Sequence, residues 1–456
     1  MLLEFRFKNF KSFSAETSFS MYAAPKQKGL DYSLFKMPNA KLNLKGLCSS
    51  VIYGPNAAGK TNVIGAMDVF RSIVLRGNIK NAAENSSANP AASLLELIPN
   101  SQLQTDKPVE FYIDFYEQDL WMQYKLIIDL GGFLDKDYSR KILFEELVIN
   151  HISVFLRDEM DSDNPILVVR PSNEISHLFP NASKIEPQNM EIIASESLDP
   201  QELFLCNGFK AIFSRKLSNM ITDWFANKFM VVYRADAMQL VNRFSNSQKH
   251  SIYVVKTTND AAKTFGINSN AVGYVVRDND SEPQLCSILS NEKNVQRTVL
   301  PAELFESYGT IRFVNLFPLV IQAIQTGATL VVDEFDASIH PMALMSIINI
   351  FHNDEINIHH SQLIFNTHNP IFLNSNLLRR DEIKFVERDE ETHNSTLYAL
   401  SDFGTSGDKG VRLHEDYMKN YFISRYGAIS DIDFTPIFEE IMASESEVSH
   451  AQTKTE

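Results

Sequence analysis

The chain has 456 residues, of which 44% are hydrophobic and 22% charged, a composition typical of a globular protein with two or three lobes. Its formal net charge of −15 argues against a protein that coats nucleic acid with its whole surface. The sequence has no signal-peptide core, no run near the ~20 apolar residues of a membrane helix, and only scattered cysteines. We therefore expect a cytoplasmic protein without a disulfide framework.

The first predicted element is a strand at the N-terminus. Leu3, Phe5 and Phe7 alternate with polar or charged residues, as expected of a strand with one buried face. Residues 9–12 form the predicted turn at the end of this strand.

The next feature is a phosphate-binding loop within residues 51–62. This stretch fits the pattern G-x-x-x-x-G-K-[ST], with an apolar strand before it and a helix after it that is predicted to end at Gly77. In that context the backbone N–H groups and the helix dipole face the phosphates of a nucleotide, Lys60 reaches the β- and γ-phosphates, and Thr61 ligates Mg²⁺. The predicted nucleotide-binding residues are Gly54, Pro55, Asn56, Ala57, Ala58, Gly59, Lys60, Thr61 and Asn62.

The stretch between this loop and residue 300 contains predicted strands, polar connections and a helical segment. Alternating apolar residues predict antiparallel strands, and a broad apolar stripe predicts helix. Residues 237–300 give a mixed pattern of helix and strand. The predicted elements are strands over 111–115, 122–128, 143–149 and 229–233, a polar connection over 77–104, a turn-rich stretch over 157–200 and helix over 200–228.

Two acidic residues follow a short apolar run at residues 328–332. Such a run is typical of a buried strand in a parallel sheet, and ligands gather at the carboxyl ends of these strands. We therefore predict that Asp333 holds the Mg²⁺ shell and that Glu334 orients or deprotonates the attacking water. A helix and a second buried strand at 362–366 follow. This crossover is expected to bring His368 beside Glu334, where it could contact the γ-phosphate or that water.

Upstream of the acidic pair, residues 306–310 lead into a helix predicted over 311–325. Ser307 and Gly309 lie at the start of this helix, where backbone N–H groups form an anion-binding terminus. On its own, a Ser-x-Gly sequence before a helix is an ordinary cap. Its place directly before the acidic strand makes it a candidate site.

Taken in order, these motifs resemble those of ABC-class ATPases. The N-terminal strand ending in Asn-Phe-Lys-Ser is similar to that of the SMC/RecF/OLD-type branch. Within that branch the chain resembles the RloA/AbiL-type phage-defence (abortive infection) ATPases, with the AriA component of PARIS systems as a related alternative. The residues that carry the resemblance are 9–12, 54–62, Ser307-Tyr-Gly309-Thr310, Asp333-Glu334, 336–340, His368 and Arg425-Tyr-Gly-Ala-Ile429.

The resemblance implies an α/β fold, namely an ABC-type P-loop NTPase head with a mixed, mainly parallel sheet and an antiparallel β-subdomain. It implies that ATP lies between two head-to-tail subunits, with the signature segment (residues 307–310) contacting the γ-phosphate bound by the other subunit. It also adds Lys11 and Ser12 to the nucleotide-binding residues.

The signature lacks the Leu-Ser-Gly-Gly-Gln form of ABC ATPases. Four glutamines compete for the role of Mg²⁺ sensor, namely Gln102, Gln104, Gln118 and Gln123.

Lys60 and Asp333 are farther apart in sequence than a minimal ATPase lobe requires, which predicts an inserted, mainly helical lobe between the two halves of the head. The tail is rich in Ser, Glu and Thr and is predicted to be disordered at its end. The predicted domains are 1–150 and 301–430 for the two halves of the head, 151–300 for the inserted lobe and 431–456 for the tail.

The motifs and the resemblance together imply an ATPase that is slow without a trigger and uses ATP and Mg²⁺. It is expected to assemble as a homodimer or higher homo-oligomer and to control a separate effector, a nuclease or toxin, in anti-phage defence. Any nucleic-acid contact is expected to be indirect or local, and no membrane contact is expected. Two alternatives stay open, namely a RecF-like DNA-repair ATPase that binds duplex directly and a non-catalytic scaffold that binds ATP.

Overall fold

The structure is a computed structural model. It describes residues 1–25, 27, 29–36, 45–80, 95–100, 107–131, 138–161, 163, 165–170, 173–179, 187–233, 252–275, 284–291, 294–405, 410–412, 414–430 and 432–442. Within these ranges, no helix is both long enough and apolar enough to cross a lipid bilayer.

The described residues form both strands and α-helices. In chain order, the strands are β1 (Leu2–Lys8), β2 (Thr17–Ser20), β3 (Leu34–Lys36), β4 (Lys45–Leu47), β5 (Ser49–Tyr53), β6 (Val109–Glu117), β7 (Leu120–Asp129), β8 (Lys141–Ile149), β9 (Ile152–Asp158), β10 (Ile166–Val169), β11 (Phe229–Val232), β12 (Ile252–Tyr253), β13 (Ala271–Val275), β14 (Gln284–Asn291), β15 (Asn294–Pro301), β16 (Thr329–Val332), β17 (Gln362–Asn366), β18 (Ile383–Arg388) and β19 (Ser395–Ala399). The α-helices are α1 (Lys60–Arg76), α2 (Pro187–Ser195), α3 (Gly208–Ile212), α4 (Arg215–Asn227), α5 (Lys256–Phe265), α6 (Ala302–Phe305), α7 (Tyr308–Thr326), α8 (Pro341–Phe351) and α9 (Tyr417–Phe422), and residues 435–442 form a further helical stretch.

A six-stranded sheet with the order β11-β16-β17-β5-β18-β19 forms the centre of the molecule. Its neighbouring strands are parallel, except that β19 runs antiparallel to β18, which confirms the prediction of a mainly parallel sheet. The carboxyl ends of parallel strands lie at one edge of a sheet. The phosphate loop after β5, the acidic pair after β16 and His368 after β17 therefore lie at the same edge.

Helix α1 joins one face of the central sheet to a seven-stranded antiparallel sheet with the order β10-β9-β8-β7-β6-β1-β2. Its predicted apolar face is buried in the core that these elements share, as Val63, Met67, Phe70 and Val74 show. The helix ends at Gly77, as predicted, because this residue adopts the left-handed conformation that closes many helices.

The opposite face of the central sheet packs against α7 and α8. Successive side chains of a strand point to opposite faces, and accordingly Val331 belongs to the core around α1 whereas Leu330 and Val332 belong to this second core. Leu344 and Ile348 of α8 are buried there, as the helical pattern predicts. The two cores hold the central strands, and thus the loops at their ends, from both sides.

Residues 151–300 are arranged differently from the predicted separate, mainly helical lobe. β9 and β10 extend the antiparallel sheet, α4 packs in the core beside α1, and β11 pairs in parallel with β16 inside the central sheet, with Phe229 opposite Thr329. Local sequence patterns do not show a pairing between strands so far apart along the chain. The head therefore includes much of the segment that was predicted to lie outside it.

The part of this segment with the mixed sequence pattern forms a four-stranded antiparallel sheet, β12-β13-β14-β15. Ala262 of α5, Val272 of β13 and Val314 of α7 form a small core that attaches this sheet to α7. The sheet thus packs against the helix that carries the signature segment.

Two predictions of unstructured chain fall largely outside the described residues. In the polar connection over 77–104, residues 81–94 and 101–104 are not described. In the tail, 443–456 are not described, and 435–442 are helical.

Candidate functional site

The phosphate loop (residues 54–62) runs from the end of β5 into α1. Gly59 immediately precedes the helix and has a φ of +112°. A Cβ at this position would lie 2.7 Å from the Ser12 Oγ and 2.8 Å from the Ser395 Oγ. Glycine is therefore required both by the backbone conformation and by the close approach of two hydroxyl groups.

Lys60 lies inside the loop. Its Nζ donates hydrogen bonds to the carbonyl oxygens of Gly54 at 2.8 Å and Pro55 at 2.9 Å. Burial lowers the pKa of Lys60 to about 8, while Asp333 and Glu334 act in the opposite direction. The ammonium group is thus placed where it can neutralise the phosphates of a bound nucleotide, close to the acidic pair.

Thr61 and Asp333 form the part of the site that can hold a metal ion. The Thr61 Oγ1 donates a 3.1 Å hydrogen bond to the Asp333 Oδ1. A hydroxyl and a carboxylate are oxygen ligands of the kind that Mg²⁺ takes, and Mg²⁺ usually needs only one or two protein ligands besides phosphate and water. The two residues fit this ion, which would neutralise charge on the transferred phosphate.

Glu334 follows β16 and His368 follows the neighbouring strand β17, so both residues lie at the carboxyl edge of the sheet, and both are partly exposed. Partial burial and then the positive charge of Lys60 lower the pKa of His368, while Asp336, Glu334 and Asp333 act in the opposite direction. These opposing influences show that the imidazole lies within electrostatic reach of both the lysine and the acids. A carboxylate and an imidazole in these positions can orient a water molecule or accept its proton.

The signature segment caps α7. The Ser307 Oγ accepts a 3.1 Å hydrogen bond from the backbone N–H of Thr310 and lies 2.8 Å from the Thr310 Oγ1. A Cβ on Gly309 would lie 2.1 Å from the carbonyl oxygen of Ser338. The start of α7 is therefore packed directly against the turn that follows the acidic pair.

The two residues added by the resemblance have different surroundings. The Ser12 Oγ accepts a 2.8 Å hydrogen bond from the Asn62 Nδ2 and so lies against the phosphate loop. The Lys11 Nζ instead contacts Glu96 at 2.8 Å and the Tyr233 hydroxyl at 3.0 Å. The structure brings Ser12 to the loop, whereas it pairs the Lys11 ammonium with a carboxylate.

Two of the four candidate glutamines can be placed. Gln118 lies in the tight turn between β6 and β7, and Gln123 lies on β7 opposite Asp114. Gln102 and Gln104 lie outside the described residues.

The sequence interpretation missed four residues that contact the site. Asn366 and Arg312 contact the acidic pair, while Arg388 and Ser395 contact the carbonyl oxygens of Ala57 and Ala58 in the phosphate loop. Asn366 is a polar residue at the end of an apolar strand, and Arg312 is a charged residue within an apolar helix. A polar or charged residue in an otherwise apolar strand or helix was thus the signal in the sequence that could have indicated these two contacts.

Comparison with known proteins agrees with this geometry. No curated protein matches the sequence. A family model described as "AAA domain, putative AbiEii toxin, Type IV TA system" matches residues 49–184 and 211–374, more than half of the chain, and includes the phosphate loop, the acidic pair and His368. The chain therefore belongs to this family of P-loop ATPases, which is related to the ABC and SMC-like ATPases.

Proposed function

We propose that the protein is a switch that binds and hydrolyses ATP with Mg²⁺ and that a second copy of the chain completes each nucleotide site. The hydrogen bond between Thr61 and Asp333 carries this proposal, because it joins the phosphate-binding half of the site to the acidic half. Lys60 and Thr61 would bind the phosphates and the metal ion. Glu334, together with His368 at the same edge of the sheet, would orient and deprotonate the attacking water.

The surface around the signature segment supports assembly with a second copy. Tyr308, at the start of α7, is 57% exposed, and Met342, at the start of α8, is 63% exposed. Both helices begin at the carboxyl edge of the central sheet. We propose an ABC-type, head-to-tail arrangement of the SMC/RecF/OLD kind, in which Ser307, Gly309 and Thr310 face the γ-phosphate bound by the other copy.

We further propose that the assembled state controls a separate effector in defence against phage, as in the RloA/AbiL-type systems. The description of the matching family refers to a putative toxin of a type IV toxin–antitoxin system, which supports a role in defence. The proposed location is the cytoplasm, and the proposed effector is a nuclease or toxin.

The substitution Glu334→Gln tests the catalytic part of the proposal. It removes the proton acceptor but preserves the shape of the side chain, so ATP hydrolysis should fall by at least about a hundredfold while ATP binding persists. An ATP-dependent dimer should then accumulate and be detectable by light scattering coupled to gel filtration. Glu355→Gln is the matched control, because this exposed residue lies beyond α8, at the opposite edge of the sheet.

Two outcomes would contradict this proposal. Wild-type hydrolysis no faster than that of Glu334→Gln would mean that the protein is a scaffold without catalytic turnover. Failure of ATP to produce a dimer of the variant would rule out completion of the site by a second copy. ATPase activity that is stimulated by duplex DNA with a steep salt dependence would instead favour the RecF-like alternative.

A further inference from the structure

The backbone of Glu334 has an unusual conformation. Its φ is +50°, in the left-handed region that residues other than glycine rarely adopt. A residue stays in this region when its surroundings hold it there, and such residues cluster at functional sites. Two buried side chains hold the peptide groups on both sides of Glu334.

Asn366, the last residue of β17, holds the N–H of Glu334. Its side chain is buried, with 1% exposure, and its Oδ1 accepts a hydrogen bond from this N–H. The Nδ2 of the same amide donates to the Asp333 Oδ1. A side-chain amide offers an acceptor oxygen and a donor NH₂ group in fixed geometry, so Asn366 can hold both acidic residues at once, which neither an aspartate nor a leucine can do.

Arg312 of α7 holds the carbonyl group of Glu334. Its side chain is 5% exposed, and its Nη2 donates to this carbonyl oxygen. Its Nε is buried and has no hydrogen-bond partner among the residues that the structure describes. Buried donors without a partner are uncommon in folded proteins, so the Arg312 side chain is held by fewer hydrogen bonds than a buried guanidinium usually makes.

We propose that Asn366 and Arg312 are positioning residues that set the direction of the Glu334 carboxylate for hydrolysis. Arg312 lies on the same helix as the signature segment, which is packed against the turn at Ser338. A shift of α7 when its N-terminus meets the other copy's nucleotide would therefore move the carbonyl group of Glu334. Hydrolysis in each subunit then depends on contact with its partner. This inference rests on the proposed ATPase function.

Arg312→Met and Asn366→Leu test the inference, because each keeps much of the side-chain volume and removes the hydrogen bonds. Each should lower kcat about ten- to a hundredfold, as for other residues that orient a catalytic group. For Arg312→Met, the Kd for ATP should change by less than about threefold. Arg312→Lys retains a donor and the positive charge, so it should restore part of the lost kcat and provides a second variant if Arg312→Met does not fold.

The controls are two buried residues of the same types far from the site. Asn357→Leu removes an amide that bonds to backbone groups at the opposite end of β17, and Arg157→Met removes a buried guanidinium on β9. Thermal unfolding should detect a loss of stability in these variants, whereas their kcat per folded molecule should match that of the wild type. Equal loss of kcat in the controls would assign Asn366 and Arg312 a purely structural role and overturn the inference.

Combination with Glu334→Gln gives the decisive readout. If Arg312 acts through Glu334, adding Arg312→Met to Glu334→Gln should cause no further loss of hydrolysis. Asn366 also holds Asp333, so adding Asn366→Leu should cause a further loss that is smaller than the loss in the single variant. Full additivity, or a kcat within about threefold of wild type in the single variants, would refute the positioning role. A wild-type protein that does not hydrolyse ATP would instead refute the proposed function itself, so the two failures can be told apart.

Discussion

The hydroxyl group of Thr61 donates a 3.1 Å hydrogen bond to the Asp333 Oδ1, although 272 residues separate the two in the sequence. Thr61 follows β5, Asp333 follows β16, and β17 lies between these two strands in the central sheet. Asn366, at the end of β17, donates to the same carboxylate oxygen. The two halves of the nucleotide site therefore meet across the end of the middle strand.

The first prediction concerns this contact. Thr61→Val keeps the shape of the side chain but removes the hydroxyl, so the Mg²⁺-dependent part of ATP affinity should weaken by about tenfold or more. Equilibrium binding of ATP with and without Mg²⁺ measures this loss. Thr222→Val is the matched control, because its hydroxyl bonds to the backbone carbonyls of Ser218 and Asn219 within α4, far from the site. An equal loss in the presence and absence of Mg²⁺ would show that Thr61 does not act through the metal.

The second prediction concerns the pH dependence of ATP binding. Burial lowers the pKa of Lys60 to about 8 in the free protein. The phosphates require the charged form, so ATP affinity should fall as the pH rises above about 8, approaching about tenfold per pH unit. Lys60→Arg keeps its charge throughout this range and should remove this dependence. A flat wild-type affinity between about pH 7 and about pH 9.5 would contradict the assignment.

Stability should respond to pH in the opposite direction. Below about pH 8 Lys60 is charged in both the folded and the unfolded protein, so the cost of burying its charge is fully present. As the pH rises from about 8 toward the ordinary value of 10.5, the folded protein loses this proton first and the cost is relieved. Lys384, whose pKa burial also lowers to about 8, follows the same trend. Binding, and not stability, is therefore the diagnostic measurement for Lys60.

The third prediction concerns Gly309. A Cβ would approach the Ser338 carbonyl oxygen to 2.1 Å, so Gly309→Ala must push the start of α7 away from the turn that follows the acidic pair. We expect a loss of about 1–3 kcal/mol in stability and a clear loss of ATP-dependent assembly. Gly404→Ala, where no atom of the described residues lies within 4 Å of the added Cβ, should cost only the strain of its positive φ and leave assembly intact. Assembly that survives in Gly309→Ala would exclude the start of α7 from the interface.

The fourth prediction concerns the link between the four-stranded sheet and the signature segment. The Glu306 carboxylate is buried and accepts hydrogen bonds from the backbone N–H groups of Asn268 at 2.9 Å and Ser269 at 3.1 Å. Glu306→Ala leaves these donors unpaired and should cost about 2–4 kcal/mol, with faster hydrogen exchange at both amides. Glu303→Ala, at an exposed position in α6, is the control. Unchanged hydrogen-exchange rates at the amides of Asn268 and Ser269 would show that the Glu306 carboxylate does not hold the four-stranded sheet to the signature segment.

The parts of the site that could be predicted are those that a local pattern encodes. The phosphate loop, the acidic pair and His368 each follow a short apolar strand, so sequence order alone placed them at one edge of a parallel sheet. Asn366 and Arg312 were missed because each is a single residue whose role depends on contacts made only after folding. The position of β11 in the central sheet was missed for the same reason, since its partner Thr329 lies far along the chain.

Mixing two inactive variants is the most direct test of sites shared between two copies. Lys60→Ala disables the phosphate loop, and Ser307→Arg disables the signature segment. In a head-to-tail dimer, each mixed pair retains one intact site, with its loop from the Ser307→Arg subunit and its signature from the Lys60→Ala subunit. An equimolar mixture should therefore recover about a quarter of the wild-type ATPase rate, although each variant alone is inactive. A mixture as inactive as its components, or full activity of Ser307→Arg alone, would contradict the shared site.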